Sequence, residues 1–386
     1  MIIEREILKE ATEALNSFPI LVITGARQTG KTTLSKLLTD KPYYNLESPD
    51  TRELISSDPR SFLNKIMAKG AIIEEFQRLP DLSSYLQEIV DANKQKGMFI
   101  LTGSNNFLMM SNLSQSLAGR AAILKLPPLT LKEIFTVSTN YSTDELIIRG
   151  FYPAIYAEAL NPTKVYDYYY QTYVERDVRQ LINIKDLHVF QRFVRLCAGR
   201  VGQILNYEQF ANEVGASSKT IKSWLSLLEA SYIVFLLPPY YSNIGKRIVK
   251  SSKLYFFDVG LASYLLGITE TSHLSNHPLK GALFENMIVS EFYKKHLNQG
   301  KNPLMFFYRD NHQNEVDIII QTGNTIQLVE VKSSSTYHSS FSNSLFWLEK
   351  NIKETIAKKI LIYDGDKNWE NNYLLLTNYR NFFSGR

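Results

Sequence analysis

The sequence predicts an α/β fold with a parallel sheet as its core, followed by a helical segment and a small second α/β domain. Apolar runs of strand length alternate with helical patterns over the first third of the chain, as in parallel sheets covered by helices on both faces. Helical periodicity dominates after Pro127-Pro128. Strand-like runs return in the last third, at Ile318–Ile320 and Ile326–Lys332.

Length and composition limit the classes of protein to consider. At 386 residues the chain is too long for one compact core, since about 150 residues per domain is the usual prior. A hydrophobic content of 44% with 21% charged residues is ordinary for a soluble globular protein. No apolar run approaches the roughly 20 residues of a membrane span, and MIIEREILKE is unlike a signal peptide, so no membrane association is expected.

Charge and cysteine content bear on partners and location. The net charge of +5 and pI near 8.9 permit contact with nucleic acid without demanding it. The single cysteine, Cys197, excludes an internal disulfide, and its apolar neighbours favour a buried helical position over a nucleophile. A cytoplasmic location is therefore expected.

A glycine loop at residues 25–32 carries the first chemical motif. The apolar run Ile20–Thr24 precedes it and the helical run Thr33–Leu38 follows, and the pattern G-x-x-x-x-G-K-[ST] is complete. Its glycines let backbone N–H groups aim inward, where the positive end of the helix completes an anion site. The alternative is a chance glycine turn before a core helix.

The loop therefore predicts ATP and Mg²⁺ as cofactors. Lys31 is expected to reach the β- and γ-phosphates, and the Thr32 hydroxyl is expected to hold Mg²⁺. The predicted nucleotide-binding residues are Gly25, Ala26, Arg27, Gln28, Thr29, Gly30, Lys31, Thr32 and Thr33.

Two carboxylates follow a second buried-strand pattern, Ala71-Ile-Ile-Glu74-Glu75. This is typical of a Walker B element, in which the first acid joins the Mg²⁺ shell and the second polarises the attacking water. The first acid is more usually Asp, and Glu74 is one methylene longer. We therefore expect nucleotide binding to survive and hydrolysis to be slow or altered. A strand running into a solvated acidic turn is the alternative.

Two further polar residues are candidates for the same site. Ser104, with Asn105 as second choice, follows the strand pattern Met98–Thr102, where a polar residue can sense the γ-phosphate; the alternative is that both cap the next helix. Arg120 stands just before the strand pattern Ala121–Leu126. It can act on a neighbour's γ-phosphate in trans, which implies a homo-oligomer, or it is a surface residue or structural salt-bridge partner.

The middle of the chain predicts a winged helix-turn-helix over residues 206–236. Asn206 is expected to cap Tyr207–Val214, Gly215 to make the turn, and Ser217 or Ser218 to cap the second helix. DNA contact would fall on that helix and on the following wing, although winged helices also dock proteins. The candidate DNA-binding residues are Ser218, Lys219, Lys222, Lys246 and Arg247, with Lys250 and Lys253 adding to the basic wing. Earlier in the chain, Arg176 is a candidate lid residue or a partner of Asp177 or Glu175.

The last third carries a second constellation of acids. Asp317 lies on a strand pattern, a turn follows at Thr322–Asn324, and Glu330-Val-Lys332 places its acid and base on one face of the next strand. This order resembles the metal site of restriction-endonuclease-like enzymes. There Asp317 and Glu330 would hold Mg²⁺ and Lys332 would orient the water, with Glu285 as a fourth member. Solvent-facing charges on an edge strand, or an inactive fold used for binding, are the alternatives.

Taken together, these motifs resemble those of a bacterial and archaeal family, the AAA-type P-loop ATPases with a C-terminal DUF4143 domain. The resemblance rests also on Glu74-Glu-Phe-Gln-Arg-Leu-Pro80, Leu117-Ala-Gly-Arg120, Pro238-Pro-Tyr240, Asp258-Val-Gly-Leu-Ala262 and Gly281-Ala-Leu-Phe-Glu285-Asn286. It covers nearly the whole chain and implies an ATPase core, a winged-helix linker and a nuclease-like end. Glu74 departs from the family pattern, which puts the hydrolysis rate in doubt.

The predicted organisation has three parts. Residues 1–135 form the P-loop AAA-type core, 136–250 the helical lid and winged helix-turn-helix, and 251–386 the nuclease-like domain. Two functions are compatible with it. One is an ATPase that couples ATP binding and hydrolysis to DNA engagement. The other is a nucleotide-dependent switch or scaffold that docks a protein partner on an inactive nuclease fold.

Overall fold

The structure, a computed structural model, describes residues 1–93, 95–104, 117–174, 186–241 and 251–384, together with the backbone of residues 175–178. Contacts divide the chain into two compact units. The first unit comprises residues 1–129, 230–232 and 294–302, and the second comprises residues 130–229, 233–293 and 303–386. Four residues considered above, Asn105, Lys246, Arg247 and Lys250, lie outside the described residues, as does the side chain of Arg176.

The first unit contains a parallel sheet of five strands in the order β2-β3-β4-β1-β5. The strand β4 thus lies between β1, which leads into the glycine loop, and β3, which ends in Glu74. The strands are β1 (Ile20–Thr24), β2 (Tyr43–Asn45), β3 (Ala71–Glu74), β4 (Phe99–Gly103) and β5 (Ala121–Lys125). The helices are α1 (Leu8–Ser17), α2 (Lys31–Leu38), α3 (Pro49–Ser57), α4 (Pro59–Ile66) and α5 (Leu82–Asn93).

Both faces of this sheet are covered, as the strand pattern predicts. Along β1, Ile20 and Val22 pack in one apolar cluster with residues of α3, α4 and α5. Leu21 and Ile23 point to the opposite cluster, which contains residues of α1 and α2. Because alternate residues of a strand face opposite sides, the continuous apolar run of β1 belongs to a strand buried on both faces.

The second unit begins with helices. They are α6 (Leu131–Val137), α7 (Thr143–Arg149), α8 (Pro153–Ala157), α9 (Pro162–Tyr169), which continues as π-helical turns over Tyr170–Val178, α10 (Leu187–Gly199), α11 (Tyr207–Val214) and α12 (Ser218–Ala230). Side chains cap several of these helices, and the predicted cap of α11 is among them. Thr130 and Glu133 form a capping box at α6, and the Asn206 side chain accepts hydrogen bonds from the Glu208 and Gln209 N–H groups at α11.

Two antiparallel strands, β6 (Val234–Leu237) and β7 (Lys253–Phe256), follow α12. A six-stranded mixed sheet then has the order β12-β13-β11-β10-β9-β8. The remaining elements are α13 (Val259–Leu265), α14 (Thr271–Ser275), α15 (Lys280–Asn298), β8 (Met305–Arg309), β9 (Glu315–Thr322), β10 (Thr325–Lys332), α16 (Asn343–Asn351), β11 (Thr355–Tyr363), β12 (Trp369–Glu370), β13 (Leu375–Asn378) and α17 (Tyr379–Ser384).

The structure differs from the sequence prediction at the N-terminus. Helical periodicity predicts a helix over residues 2–16, whereas α1 begins at Leu8. Ile3 and Ile7 are nevertheless buried, so the periodicity correctly identified core residues that lie partly outside the helix. Within the described residues, no helix combines the length and apolar character needed to cross a membrane.

Candidate functional site

The glycine loop between β1 and α2 adopts the backbone conformation that its glycines permit. Gly25 has φ of 147° and Gly30 has φ of 93°. A Cβ atom on Gly25 would lie 2.3 Å from the carbonyl oxygen of Leu126. The close passage of the backbone therefore requires glycine at position 25.

Lys31, the first residue of α2, is buried, and backbone carbonyls surround its ammonium group. Its Nζ donates to the carbonyl oxygens of Gly25 at 3.0 Å and Ala26 at 2.7 Å. Burial lowers the pKa of Lys31 to about 8, although Glu75 and Glu74 act in the opposite direction. The ammonium group thus has neutral acceptors as hydrogen-bond partners, and an anionic ligand would stabilise its charge further.

The two carboxylates at the end of β3 meet the other predicted residues. One oxygen of Glu74 accepts a hydrogen bond from the Thr32 hydroxyl. One oxygen of Glu75 accepts a hydrogen bond from the Ser104 hydroxyl at 3.3 Å and another from the Gln77 amide. The carboxyl ends of β1, β3 and β4 meet at one edge of the sheet, because the three strands are parallel neighbours.

Residues distant in sequence complete the surroundings of the loop. The buried Arg5 guanidinium donates to the carbonyl oxygens of Thr29 and Pro127, both at 2.7 Å. The Tyr232 hydroxyl lies 2.8 Å from the Thr24 hydroxyl at the end of β1. Sequence reasoning missed both residues, because no local motif links an N-terminal arginine or a tyrosine near residue 230 to the loop.

Tyr43 is a third residue that sequence reasoning missed. Its hydroxyl donates to the Glu74 oxygen that Thr32 does not contact. Tyr43 stands on β2, next to β3 in the sheet. Its place on a strand adjacent to a predicted Walker B strand was the available signal, but the order of the strands is not visible in the sequence.

Arg120 lies away from the loop within this chain. It directly precedes β5, and Ala121 pairs with Ile20 at the start of β1, whereas the loop follows the end of β1. Its guanidinium makes two hydrogen bonds to the Asp91 carboxylate, at 2.6 and 2.7 Å. The salt bridge is consistent with the structural alternative, and an action on a neighbouring chain stays a prediction.

The second helix of the α11–turn–α12 segment presents its predicted basic residues to solvent. Lys219 and Lys222 on α12 are exposed, and Lys222 Nζ lies 5.1 Å from the centre of the Tyr207 ring. Ser218 is the first residue of α12, and Ser217 supplies the cap, accepting from the Thr220 N–H at 3.1 Å.

Lys253 does not belong to an exposed basic wing, so that prediction is wrong. Only 2% of Lys253 is exposed. Its ammonium group lies 3.2 Å from Glu285 and 2.5 Å from Glu315. The neighbouring Tyr255 hydroxyl donates to the same oxygen of Glu285 at 2.5 Å. Lys253 and Tyr255 are two residues apart on β7, so both side chains reach the acids from the same face of the strand.

The predicted acids of the second unit lie close to Lys253 and Tyr255. Asp317 on β9 accepts a hydrogen bond from the Val331 N–H at 2.8 Å. Glu330 on β10 accepts from Lys332 at 2.5 Å and from the Ser344 hydroxyl at 2.8 Å. We define the acidic cluster as Glu285, Glu315, Asp317 and Glu330 with Lys253 and Lys332.

Burial governs the charges of the acidic cluster. It raises the pKa of Glu285 to about 7 and that of Glu330 to about 8, and the charge of Asp317 adds to both increases. Burial alone would lower the pKa values of Lys253 and Lys332, but the surrounding carboxylates outweigh it and raise both. In the part of the chain that the structure describes, no three His, Cys, Asp or Glu side chains are placed to hold one metal ion.

Three family models match consecutive parts of the chain. An AAA domain matches residues 17–135, the domain of unknown function DUF8612 matches residues 140–272, and the domain of unknown function DUF4143 matches residues 280–381. The glycine loop, Glu74, Glu75, Ser104 and Arg120 all lie in the AAA match. Lys253 and Tyr255 lie in the DUF8612 match, whereas the acids of the cluster lie in the DUF4143 match.

Similar proteins occur in bacteria and archaea. An uncharacterized protein of Mycobacterium tuberculosis is 29% identical over 374 residues, covering 95% of this chain and 81% of the relative. An uncharacterized protein of Haemophilus influenzae is 23% identical, with 92% of this chain and 93% of the relative covered. One of Methanocaldococcus jannaschii is 26% identical, with 81% and 74% covered.

Solved structures show more distant likeness. A Walker-type ATPase of Pyrococcus abyssi matches with 15% identity and a TM-score of 0.40, covering 68% of this chain and 96% of that structure. RuvB of Thermotoga maritima matches with 17% identity and a TM-score of 0.28, covering 60% and 87%. Both scores lie below 0.5, so neither likeness bears on the function.

Proposed function

We propose that this chain couples the binding and hydrolysis of Mg²⁺–ATP to the engagement of DNA. The AAA domain match and the P-loop support a nucleotide-binding ATPase, and the DUF4143 match follows at the C-terminal end. The ATPase part of the proposal rests on the contacts among the candidate residues at one edge of the parallel sheet. Thr32 contacts Glu74, and Ser104 contacts Glu75, although these residues come from three separate segments.

The residues present fit a bound nucleotide. The loop at Gly25 leaves no room for a Cβ atom, and the buried Lys31 donates to the backbone carbonyls of Gly25 and Ala26. In the proposal, loop N–H groups and Lys31 hold the phosphates, while Thr32 and Glu74 hold Mg²⁺. Mg²⁺ supplies charge neutralisation between the phosphates when bound.

Glu75 is proposed as the group that orients and polarises the attacking water. Its φ of 54° is unusual for a residue other than glycine, and it turns the chain sharply at the end of β3. The hydrogen bond from Ser104 to the Glu75 carboxylate supports the proposal, because it restricts the orientation of that carboxylate. Strain at a reactive position is a common feature of functional sites.

Steady-state ATP turnover with Mg²⁺ tests this assignment. Glu75→Gln keeps the size of the side chain and removes the base, so turnover is expected to fall by about 100-fold or more, within the range of general-base removal, while nucleotide binding persists. Glu53→Gln, an exposed acid on α3, is the matched control. Equal turnover in the wild type and Glu75→Gln would refute the assignment.

DNA engagement is proposed for the α11–turn–α12 segment with the β6–β7 pair, read as a winged helix. The exposed Lys219 and Lys222 support it, with Ser218 at the start of the second helix. Lys246 and Arg247 lie outside the described residues and remain candidates by sequence. Each lysine that contacts a phosphate should contribute about one unit to the log–log salt slope of DNA affinity.

Fluorescence anisotropy with a labelled duplex at several salt concentrations measures that slope. The double variant Lys219→Ala/Lys222→Ala should reduce the slope by about two units. Lys295→Ala, a lysine of the last turn of α15, controls for a general loss of positive charge. An unchanged slope would exclude this helix as the DNA-binding element.

The acidic cluster is proposed as a nuclease-like site in which Asp317 and Glu330 hold Mg²⁺, with Glu285 and Lys332 beside them. The supporting observation is that Asp317 lies close enough to Glu285 and Glu330 for its charge to raise the pKa of both, while Lys332 bonds Glu330. Incubation of plasmid and linear DNA with Mg²⁺ or Mn²⁺, with and without ATP, tests cleavage. Asp317→Asn should abolish any cleavage that is seen.

A second candidate function is a nucleotide-dependent switch that docks a protein on an inactive nuclease fold. It is favoured by the pairing of Lys253 with Glu285 and of Lys332 with Glu330. Among the described residues, moreover, no group of three or more His, Cys, Asp or Glu side chains is placed to hold one metal ion. Retained ATP binding with no cleavage and no salt-dependent DNA binding would select this function.

A role for Arg120 in trans is part of the proposal. Assembly of a homo-oligomer would bring Arg120 of one copy to the nucleotide of the next. Specific ATPase activity should then rise with protein concentration, and Arg120→Ala should remove that rise without weakening nucleotide binding.

A cytoplasmic location is also proposed. The single cysteine of the chain, Cys197, is a buried free thiol, which fits a reducing compartment.

A further inference from the structure

We propose that Tyr43 is a positioning residue that holds the Glu74 carboxylate in the orientation needed for Mg²⁺. The proposal rests on the proposed Mg²⁺–ATP site and deepens it. It explains how this chain can use Glu where a shorter Asp is more usual.

The strand register places Tyr43 beside Glu74. Tyr43 pairs with Ile72, and Asn45 pairs with Glu74. Ile72 and Glu74 are two residues apart on β3, so their side chains share one face of the sheet, and Tyr43 shares that face with them. The apolar cluster on this face contains Ile72 and the partly buried Tyr43, together with residues of α2. Tyr43 therefore reaches the end of β3 from the side of the sheet that α2 covers, and Thr32 lies in the first turn of that helix.

Each of the two carboxylate oxygens of Glu74 accepts a hydrogen bond from a different hydroxyl group. Thr32 donates to one oxygen and Tyr43 donates to the other. Thr32 is the proposed metal ligand, so its hydroxyl must take a new partner when Mg²⁺ binds. Tyr43 has no such competing role and keeps the carboxylate oriented. Glu has one more rotatable bond than Asp, and a fixed hydrogen-bond partner reduces the entropy lost when that side chain is ordered.

The Tyr43 ring is itself held in place. The Lys36 ammonium group, in the last turn of α2, lies 4.2 Å from the ring centre, within the range of a cation–π interaction. The same helix thus carries Thr32 at one end and contacts the Tyr43 ring near the other. An aspartate side chain in place of Glu74 would be one methylene too short to keep the contact with this phenol, so Tyr43 and Glu74 form a matched pair.

The test compares Tyr43→Phe with Tyr44→Phe. Tyr44 is the adjacent tyrosine, and its ring packs edge-on against Phe62 with a centroid distance of 4.8 Å. Binding of a fluorescent ATP analogue is titrated over a range of Mg²⁺ concentrations, and turnover is measured in parallel. Tyr43→Phe is expected to raise the Mg²⁺ concentration for half-maximal binding about tenfold, because the Glu74 side chain must then be ordered when Mg²⁺ binds. Affinity for the metal-free nucleotide should stay unchanged, and Tyr44→Phe should match the wild type in both measurements.

A double-variant cycle shows whether Tyr43 acts through Glu74. In the Glu74→Asp background, Tyr43→Phe should have no further effect on the Mg²⁺ requirement. The inference is overturned if Tyr43→Phe behaves like Tyr44→Phe, or if its effect is equally large in the Glu74→Asp background. A wild type that binds nucleotide without turnover weakens only the proposed ATPase activity, because the Mg²⁺ dependence of binding still decides the role of Tyr43. A wild type that binds no nucleotide overturns both.

Discussion

Lys31 and Lys253 are both buried lysines near carboxylates, yet their ammonium groups have different partners. Lys31 donates to two backbone carbonyls, and burial lowers its pKa to about 8. Lys253 is paired directly with Glu285 and Glu315, and these acids with Asp317 raise its pKa despite the burial. The first lysine is surrounded by neutral dipoles, whereas the second belongs to a network that supplies its own counter-charges.

This difference separates a site prepared for an anion from a site that is already balanced. A buried ammonium group whose hydrogen-bond partners are neutral carbonyls is stabilised strongly by a phosphate, because none of those partners carries a negative charge. In the acidic cluster, a cation that binds must compete with two lysines for carboxylate oxygens. The comparison therefore supports nucleotide binding at the loop more strongly than metal binding at the cluster.

The largest expected effect of a single substitution is on the free energy of unfolding. Lys253→Met should lower the free energy of unfolding by about 3 kcal/mol, because it removes the buried ammonium group that pairs with the partly buried Glu285 and Glu315 carboxylates. Lys31→Met should change it by less than about 1 kcal/mol, because the loss of two hydrogen bonds is offset by relief of a buried charge. Urea unfolding without nucleotide measures both variants.

A rescue experiment distinguishes charge imbalance from a packing defect. The double variant Lys253→Met/Glu285→Gln removes one acid together with the lysine, so it should recover part of the lost stability. If the double variant is no more stable than Lys253→Met, or if Lys31→Met is equally destabilising, the contrast between the two lysines is wrong.

The second expected effect is a pH dependence of stability from Glu330 and Glu285. Glu330 faces Asp317, Lys332 and Ser344, and its pKa of about 8 exceeds that of an ordinary glutamate. The folded state therefore binds more protons than the unfolded state between about pH 4.5 and pH 8. Stability should fall as pH rises through this window, by at most about 1.4 kcal/mol per pH unit for each such acid.

Urea unfolding at pH 5, 6.5 and 8 measures this slope, and Glu330→Gln should flatten it because glutamine mimics the protonated acid. Glu370→Gln, at an exposed position on β12, is the control. A wild-type stability that rises across the same window would show that the cluster is held by ionised rather than protonated acids.

The proximity of the candidate nucleotide-binding residues was largely predictable, because these residues stand at the ends of strands or at the start of a helix. Lys31 and Thr32 follow a strand and begin a helix, and Glu74, Glu75 and Ser104 stand at the ends of apolar strand patterns. In a parallel sheet such ends share one edge, so the predicted residues were expected to meet. Their catalytic roles stay predictions.

The residues that were missed depend on strand order and on which face of a strand a side chain occupies. Arg5 and Tyr43 reach the site only through the folded arrangement of distant segments. Lys253 was predicted to lie on a basic surface because only its charge was taken into account. It lies on β7, two residues before Tyr255, so both side chains are on the same face of that strand. A lysine in an otherwise apolar strand was the signal that it pairs with acids in the interior.

The smallest expected effect concerns nucleotide affinity at alkaline pH. Lys31 must be charged to hold phosphates, and its pKa of about 8 means that its ammonium group loses its proton as pH rises above that value. Affinity for a fluorescent ADP should therefore decrease about tenfold for each pH unit above 8, until the bound state also loses this proton. The phosphates themselves are fully ionised over this range, since their second pKa lies near 6.

Lys31→Arg carries a charge that does not titrate, so its affinity, although weaker, should be the same at pH 7.5 and pH 9. A wild-type affinity that is constant from pH 7.5 to pH 9.5 would mean that acids rather than carbonyls set the charge of Lys31. The two buried lysines would then be alike.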